Sequence, residues 1–235
     1  GGAYQPDAVD RALEEIEVRA SGSHVVAFRT SMGRISNLSL HQAGGGQWYG
    51  IDISQGRLHV IGCDITSQSL ACVAVHQGAD PRLLQSRIHD SASCGILIYE
   101  RGRGTFEDNE IFGNVGAGVE VTETGHGTLL RNRIRDCKGS GLWVHHGGHA
   151  TAEHNEIFRN SICGISVEHG GEVTARRNLI SYNGSFAVHI HTKGSATFLD
   201  NRLWGNAGGW YMWGSNIINE GNIEEPPIPT PAPVA

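Results

Sequence analysis

No run of apolar residues in this chain approaches the roughly 18 that a helix needs to cross a bilayer, so no membrane span is expected. Basic residues are also scarce: 18 Lys and Arg stand against 24 Asp and Glu, a formal charge of −6. That balance leaves no basic footprint for nucleic acid. The five cysteines are odd in number and none falls in a Cys-x-x-Cys pair. They read as buried free thiols, and unpaired thiols point towards a reducing, cytoplasmic compartment. No secretory signal is present, and the chain opens on Gly1-Gly2 without Met. The expectation is a processed or excised fragment, for which a missing signal carries no information.

What the chain does have is a repeat. One column reads Ile65, Ile88, Ile111, Ile134, Ile157, Ile180, Leu203, a step of 23 residues without slippage. A second reads Asn109, Asn132, Asn155, Asn178, Asn201, and a third Gly95, Gly118, Gly141, Gly164, then Ala187. An unbroken period of this length, with no helical pattern inside it, means stacked identical coils. Within a row, TFEDNEIF (105–112) alternates around Phe106 and Ile111, and GVEV (118–121) around Val119 and Val121. Alternation of period 2 buries one strand face and wets the other. The fold predicted is all-β: a parallel β-helix of about 23 residues per coil, with two or three short strands in each.

The asparagines read as corner residues that hydrogen-bond along the stack, with a second such column at Asn114, Asn160, Asn183 and Asn206. The position after the first Asn runs Asp64, Arg87, Glu110, Arg133, Glu156, Leu179, Arg202. Opposite charges on neighbouring coils penalise a slipped register, so these read as a ladder and not a site. Cys94 and Cys163 share a repeat position with Ala117 and Ser140, which suits a small packed residue.

Solenoid ends need caps. Residues 7–17 place Ala8, Val9, Ala12, Leu13 and Ile16 on one helical face, so residues 1–17 are expected to carry a short capping helix. The β-helix is assigned to 18–223, regular over 59–219, with strand-like VVAF, RISNLSL and GIDI in the early coils. Trp204, Trp210, Tyr211 and Trp213 suit a lid on the last coil. Residues 224–235, EEPPIPTPAPVA, read as a stiff extended tail or linker.

The composite row runs from a Thr start through Arg-Asn or Asp-Asn before Ile-Phe or Ile-Arg, a further Asn, then Gly-Val/Ile-x-Val. It resembles the right-handed parallel β-helix of the carbohydrate-binding and sugar-hydrolase repeat superfamily. Segments FEDNEIFGNVGAGVEV (106–121) and AEHNEIFRNSICGISV (152–167) resemble in particular the β-helical substrate-receptor region of F-box proteins. They are similar also to repeats in periplasmic copper-maturation proteins and alginate epimerases. The resemblance implies a parallel β-helix that presents ligands on one long sheet face. It rests on the coil-forming residues and covers about 59–219. No F-box accompanies it, so ubiquitin-ligase membership does not carry over.

Outward positions of the second strand form the informative surface. One column reads Asp52, Ala74, Leu97, Glu120, Trp143, Ser166, His189. The next reads Ser54, His76, Tyr99, Thr122, His145, Glu168, His191, followed by Gln77, Glu100, Glu123, His146, His169 and Thr192. This strip gathers His, Glu and aromatic groups, without alternating charge and without Lys or Arg. Tyr99, Glu120, Trp143, His145, Glu168, His189 and His191 are the candidate ligand-binding residues, for a glycan or an extended peptide. The expected role is non-catalytic recognition, with no cofactor and no metal. The alternative is a polysaccharide-modifying lyase, hydrolase or epimerase using Glu120, His145, Glu168 and His189. Against it, no Asp cluster lies on the strip, and rows 59–219 carry no insertion that would wall a deep cleft. Gly125-His126-Gly127 looks like the Gly-His-Gly of polygalacturonases, but His126 shares a repeat corner with Arg103 and His149, so the turn reading is preferred. His145, Glu168 and His191 start too far apart for easy convergence on one ion.

Overall fold

A computed structural model describes residues 16–225. Within them the chain winds into a parallel β-solenoid with three walls: a ten-stranded sheet A, a nine-stranded sheet B and a nine-stranded sheet C. Every strand pairs in parallel with its equivalent one coil away, as Ile96↔Val119 and Val119↔Leu142 show on sheet B. Sheet A opens on Ile16–Ala20 and closes on Ile223–Glu225.

One coil illustrates how the sequence sets the path. Arg103–Glu107 lies in sheet C, Glu110–Phe112 in sheet A and Val119–Val121 in sheet B. The TFEDNEIF stretch is therefore two strands, not one. Asp108 breaks it, because its φ of 55° is a left-handed corner that a strand cannot contain. Arg131, His154, Arg177 and Asp200 repeat that corner at φ of 53°, 57°, 54° and 56°. Each such residue costs about 1 kcal/mol of backbone strain.

The Asn column offsets that cost. Asn132 accepts on Oδ1 from the Asn109 backbone N–H at 3.0 Å and from Asn109 Nδ2 at 3.1 Å. Its own Nδ2 donates to the Phe106 carbonyl at 2.8 Å. The pattern continues through Asn155, Asn178 and Asn201 and satisfies backbone groups that no strand reaches. Cysteine stands in for asparagine at two rungs. Cys63 heads the first ladder, donating its N–H to Ser86 Oγ at 3.1 Å. Cys137 sits between Asn114 and Asn160 in the second, where only its sulfur faces Asn114 Nδ2, at 3.7 Å. All five thiols are free and buried.

The Ile column is fully buried and joins Phe106 and Phe198 in one cluster along the axis. Outside it, Arg87 meets Asp64 at 2.6 Å and Arg133 meets Glu156 at 3.0 Å, the charge ladder expected. The early coils carry strands at Val26–Phe28, Met32–Ser36, Leu38–Gln42 and Ile51–Ile53, but their steps depart from 23 residues, with Ile16 paired to Leu38 and Leu40 to Ile65. The ends differ from expectation. The capping helix falls outside the described residues except for Ile16 and Glu17, which lie in a strand paired with Leu38–Gln42. Glu224 and Glu225, assigned to the tail, belong to the last strand of sheet A. Of the four C-terminal aromatics only Trp210 packs on the core, its ring 5.2 Å from Phe198. Trp204 and Tyr211 face outward on sheets A and B, and Trp213 is 73% exposed.

Candidate functional site on sheet B

Sheet B strands are three residues long in most coils, so only their middle residues project outward: Leu97, Glu120, Trp143, Ser166 and His189, in register. The second column lies just past the strand ends but stays in line. His145 and Glu168 each donate a backbone N–H one coil back, to Val121 and Val144, at 3.0 Å. A tight turn follows. Glu123 and Thr124 have φ of 45° and 61°, the two left-handed central positions of a mirror-image β-turn. Gly125 closes it through its N–H to the Thr122 carbonyl at 2.8 Å. A Cβ on Gly125 would stand 2.5 Å from the Ile98 carbonyl oxygen, so Gly is required there. That accounts for the Gly-His-Gly triplet. His126 begins the next strand and stacks on His149 at 4.6 Å, away from the strip.

The site residues form two joined groups. In one, His145 is buried and Nε2 meets Glu120 Oε1 at 3.0 Å, while Nδ1 contacts His146. In the other, the Trp143 indole N–H donates to Glu168 Oε1 at 2.6 Å. The Trp143 and His145 rings stack at 3.9 Å and join the two. Tyr99, Leu97, Glu120 and His145 line a depression of about 440 Å³ on one side of this stack. Burial, first, and the hydrogen bond with Tyr49 push the Tyr99 phenol well above its ordinary value, so it stays protonated.

On the other side of the stack lies a groove of about 510 Å³ between Trp143 and the pair Phe186 and His189. Ser166 forms its floor, because a serine follows Trp143 in a column that is otherwise mostly large. Its hydroxyl lies 3.4 Å from His189 Nδ1. Burial, first, holds the His189 imidazole below the ordinary range; Glu168 opposes this and His191 adds to it. His189 also stacks on Tyr211 at 5.0 Å. His191 lines neither groove; its ring lies edge-on to Trp213 at 5.6 Å.

Sequence reasoning missed four of the groove's residues. Phe186 occupies the small-residue column after Ala117, Ser140 and Cys163, and that abrupt change of size was a readable signal. Val115 and Ile162 are half-exposed at the groove edge. Lys138 also lines the groove, although it lies outside the strip's columns, which themselves carry no Lys or Arg. It comes from the corner before sheet B, where no strand alternation points to it. Among the described residues no group of three His, Cys, Asp or Glu is placed to hold a metal ion. His145, Glu168 and His191 do not converge, since they bond to Glu120, Trp143 and Thr192 respectively. At the N-terminal end of the strip, buried Asp52 accepts from His76 Nε2 at 2.8 Å, and His76 stacks on Tyr99 at 4.8 Å.

The winding, the Asn ladders and the three-walled cross-section define a class of protein, the parallel β-helices. The chain belongs to the right-handed β-helix family: its sequence matches the family described as "Right handed beta helix region" over residues 23–180 and 146–223. A comparison with curated protein sequences finds no match. Among solved structures it is similar to pectate lyase Pel9A, with TM-score 0.66, 13% identity, and 91% of this chain and 68% of that one covered. It is similar also to the A-module of the mannuronan C-5 epimerase AlgE4 of Azotobacter vinelandii, with TM-score 0.58, 17% identity and 82% of this chain covered. The chain spans 59% of the length of that module. A mutant of a periplasmic alginate epimerase, AlgG, gives TM-score 0.62 at 12% identity, covering 85% of this chain and 62% of that one. At these identities the likeness is one of fold.

Proposed function

We propose that sheet B is a non-catalytic recognition surface for a glycan, seated in the groove over Ser166. The observation that carries this reading is the gap between Trp143 and His189. They stand two coil steps apart, about 9.6 Å at about 4.8 Å per step. Two stacked ring contacts of about 4.5 Å each fill that width with one sugar ring between them. Glu168 and Lys138 stand beside the gap and can bond hydroxyls or a carboxylate. An extended peptide fills that gap only where a proline or aromatic side chain falls on it, whereas every residue of a glycan carries a ring, which favours the glycan. That similar folds occur in a pectate lyase and in alginate epimerases is in keeping with a polysaccharide partner.

Non-catalytic binding is preferred because the carboxylates are already engaged within the protein, Glu120 by His145 and Glu168 by Trp143. One observation favours the alternative, a polysaccharide-modifying enzyme. The pair of buried His145 with partly exposed Glu120, continued to His146, is an arrangement that can hold and move a proton at the rim of the smaller depression. A glycan array on the purified protein, followed by a turnover assay on every glycan retained, separates the two. The expected result is retention without turnover, and affinity at least tenfold weaker in Trp143→Ala. Turnover that disappears in Glu120→Gln or Glu168→Gln would replace the binding reading with the enzymatic one.

A further inference from the structure

The device that makes the sheet B groove occurs a second time, on a different wall. The outward column of sheet A reads His89, Phe112, Arg135, Phe158, Ser181, Trp204 in register. It is a stack of large side chains up to Phe158. There Phe112 lies under His89 at 4.6 Å and under the Arg135 guanidinium at 4.4 Å. Ser181 then leaves a space before Trp204. In the neighbouring column Leu179 replaces the charge that every other coil from Asp64 to Arg202 carries. The charge ladder is therefore interrupted on the same coil at which the large-residue stack opens, and register does not explain either change.

A third observation points to the same place. Tyr182 holds a left-handed corner at φ 54°, an uncommon conformation for a bulky side chain, and is 47% exposed. Gly205 one coil on leaves room for its ring, since a Cβ there would stand 2.5 Å from Tyr182 Cε1. The ring meets Trp204 edge to face at 6.4 Å. Phe158, Tyr182 and Trp204 thus surround a slot of about 380 Å³ floored by Leu179 and Ser181. The left-handed corner itself belongs to the winding, since Asp90, Asp136 and Arg159 hold it on earlier coils; what is particular here is an aromatic exposed beside an apolar floor, which adds nothing to the core.

We propose that this slot binds one pyranose ring of a neutral, gluco-configured glycan. Phe158 and Trp204 are two coil steps apart, again about 9.6 Å, the width of one ring stacked on both sides. A ring sandwiched on both faces must have two apolar faces, which only an all-equatorial pyranose provides; an axial hydroxyl would be buried against an aromatic face without a partner. Neutrality follows from the rim. Arg133 is paired with Glu156 at 3.0 Å and Arg159 with Asp136 at 2.9 Å, so the cations beside Phe158 are compensated. The inference does not depend on the sheet B reading, since the two slots share no residue.

The test is NMR of the indole N–H signals, assigned by single Trp→Phe substitutions, during titration with cellotetraose. The Trp204 signal is expected to move saturably, and equally in Trp143→Ala. Ser181→Phe, which fills the slot from its outward face, is expected to weaken binding at least tenfold. Trp204→Phe keeps the stacking surface and is expected to retain affinity measured by calorimetry. Mannotetraose, with its axial hydroxyl, is expected to leave the Trp204 signal in place. An unmoved Trp204 signal, an undiminished shift in Ser181→Phe, or an equal response to mannotetraose each overturns the proposal. Loss of glycan binding confined to the Trp143 signal would bear on sheet B alone.

Discussion

At the residue scale, two side chains interrupt a ladder in ways that make measurable predictions. Cys137 occupies a buried asparagine rung, and its sulfur is a weaker partner than an amide oxygen. Cys137→Asn restores an acceptor and two donors in nearly the same volume, and is expected to raise stability by about 1 kcal/mol. Thermal unfolding of the single variant checks this, and a fall in midpoint contradicts it. His189 gives the second prediction. Its folded pKa lies below the unfolded value, so on acidification the unfolded chain binds a proton first. The stability at stake is fully present above the unfolded pKa near 6.5 and declines as pH falls towards the folded value. His189→Phe keeps the stacking on Tyr211 and Phe186 but removes the proton. Its unfolding midpoint is expected to fall less than the wild type's between pH 7.5 and 5.5, and equal slopes would rule out this role.

At the scale of strands and coils, charge on sheet A works with backbone register. The Arg135 hydrogen bond, outweighing partial burial, holds the Glu110 carboxyl below its usual value. That stabilisation is present above the unfolded carboxylate pKa near 4.3 and is lost as pH falls through the folded value. Glu110→Gln is expected to flatten acid unfolding below pH 5, as followed by circular dichroism at stepped pH. Much of this level was legible in the sequence. A period of 23 fixes which residues become neighbours, so the Ile, Asn and charge columns could be written down and all pair as expected. The break that divides TFEDNEIF into two strands was not legible, because the corner column mixes Gln, Asp, Arg and His and no one residue type marks its left-handed φ. The groove was legible in part. Glu120, Trp143, His145, Glu168 and His189 share a face by register alone. Lys138 and Phe186 reach it from the corner segment and the edge of a strand, where period-2 alternation assigns no direction.

For the whole molecule, a rigid prism of stacked coils turns a one-dimensional pattern into surface. Where every coil carries a large residue in the same column, the wall is filled; where one coil carries serine, a slot opens at the width of a ring. Ser166 on sheet B and Ser181 on sheet A are two places where a ring precedes and follows such a gap. On the proposed reading, recognition is a matter of which rung is left small, and the coil-forming residues need not change. That is also how a shared fold can accompany identities of 12–17%. The most direct test is a binding titration of wild type against Trp143→Ala, using a glycan retained on the array. The prediction is at least a tenfold loss of affinity with an unfolding midpoint changed by little, because Trp143 lies on the outer face of its strand. Equal affinity in the two proteins, or no glycan retained at all, would contradict a recognition surface on sheet B.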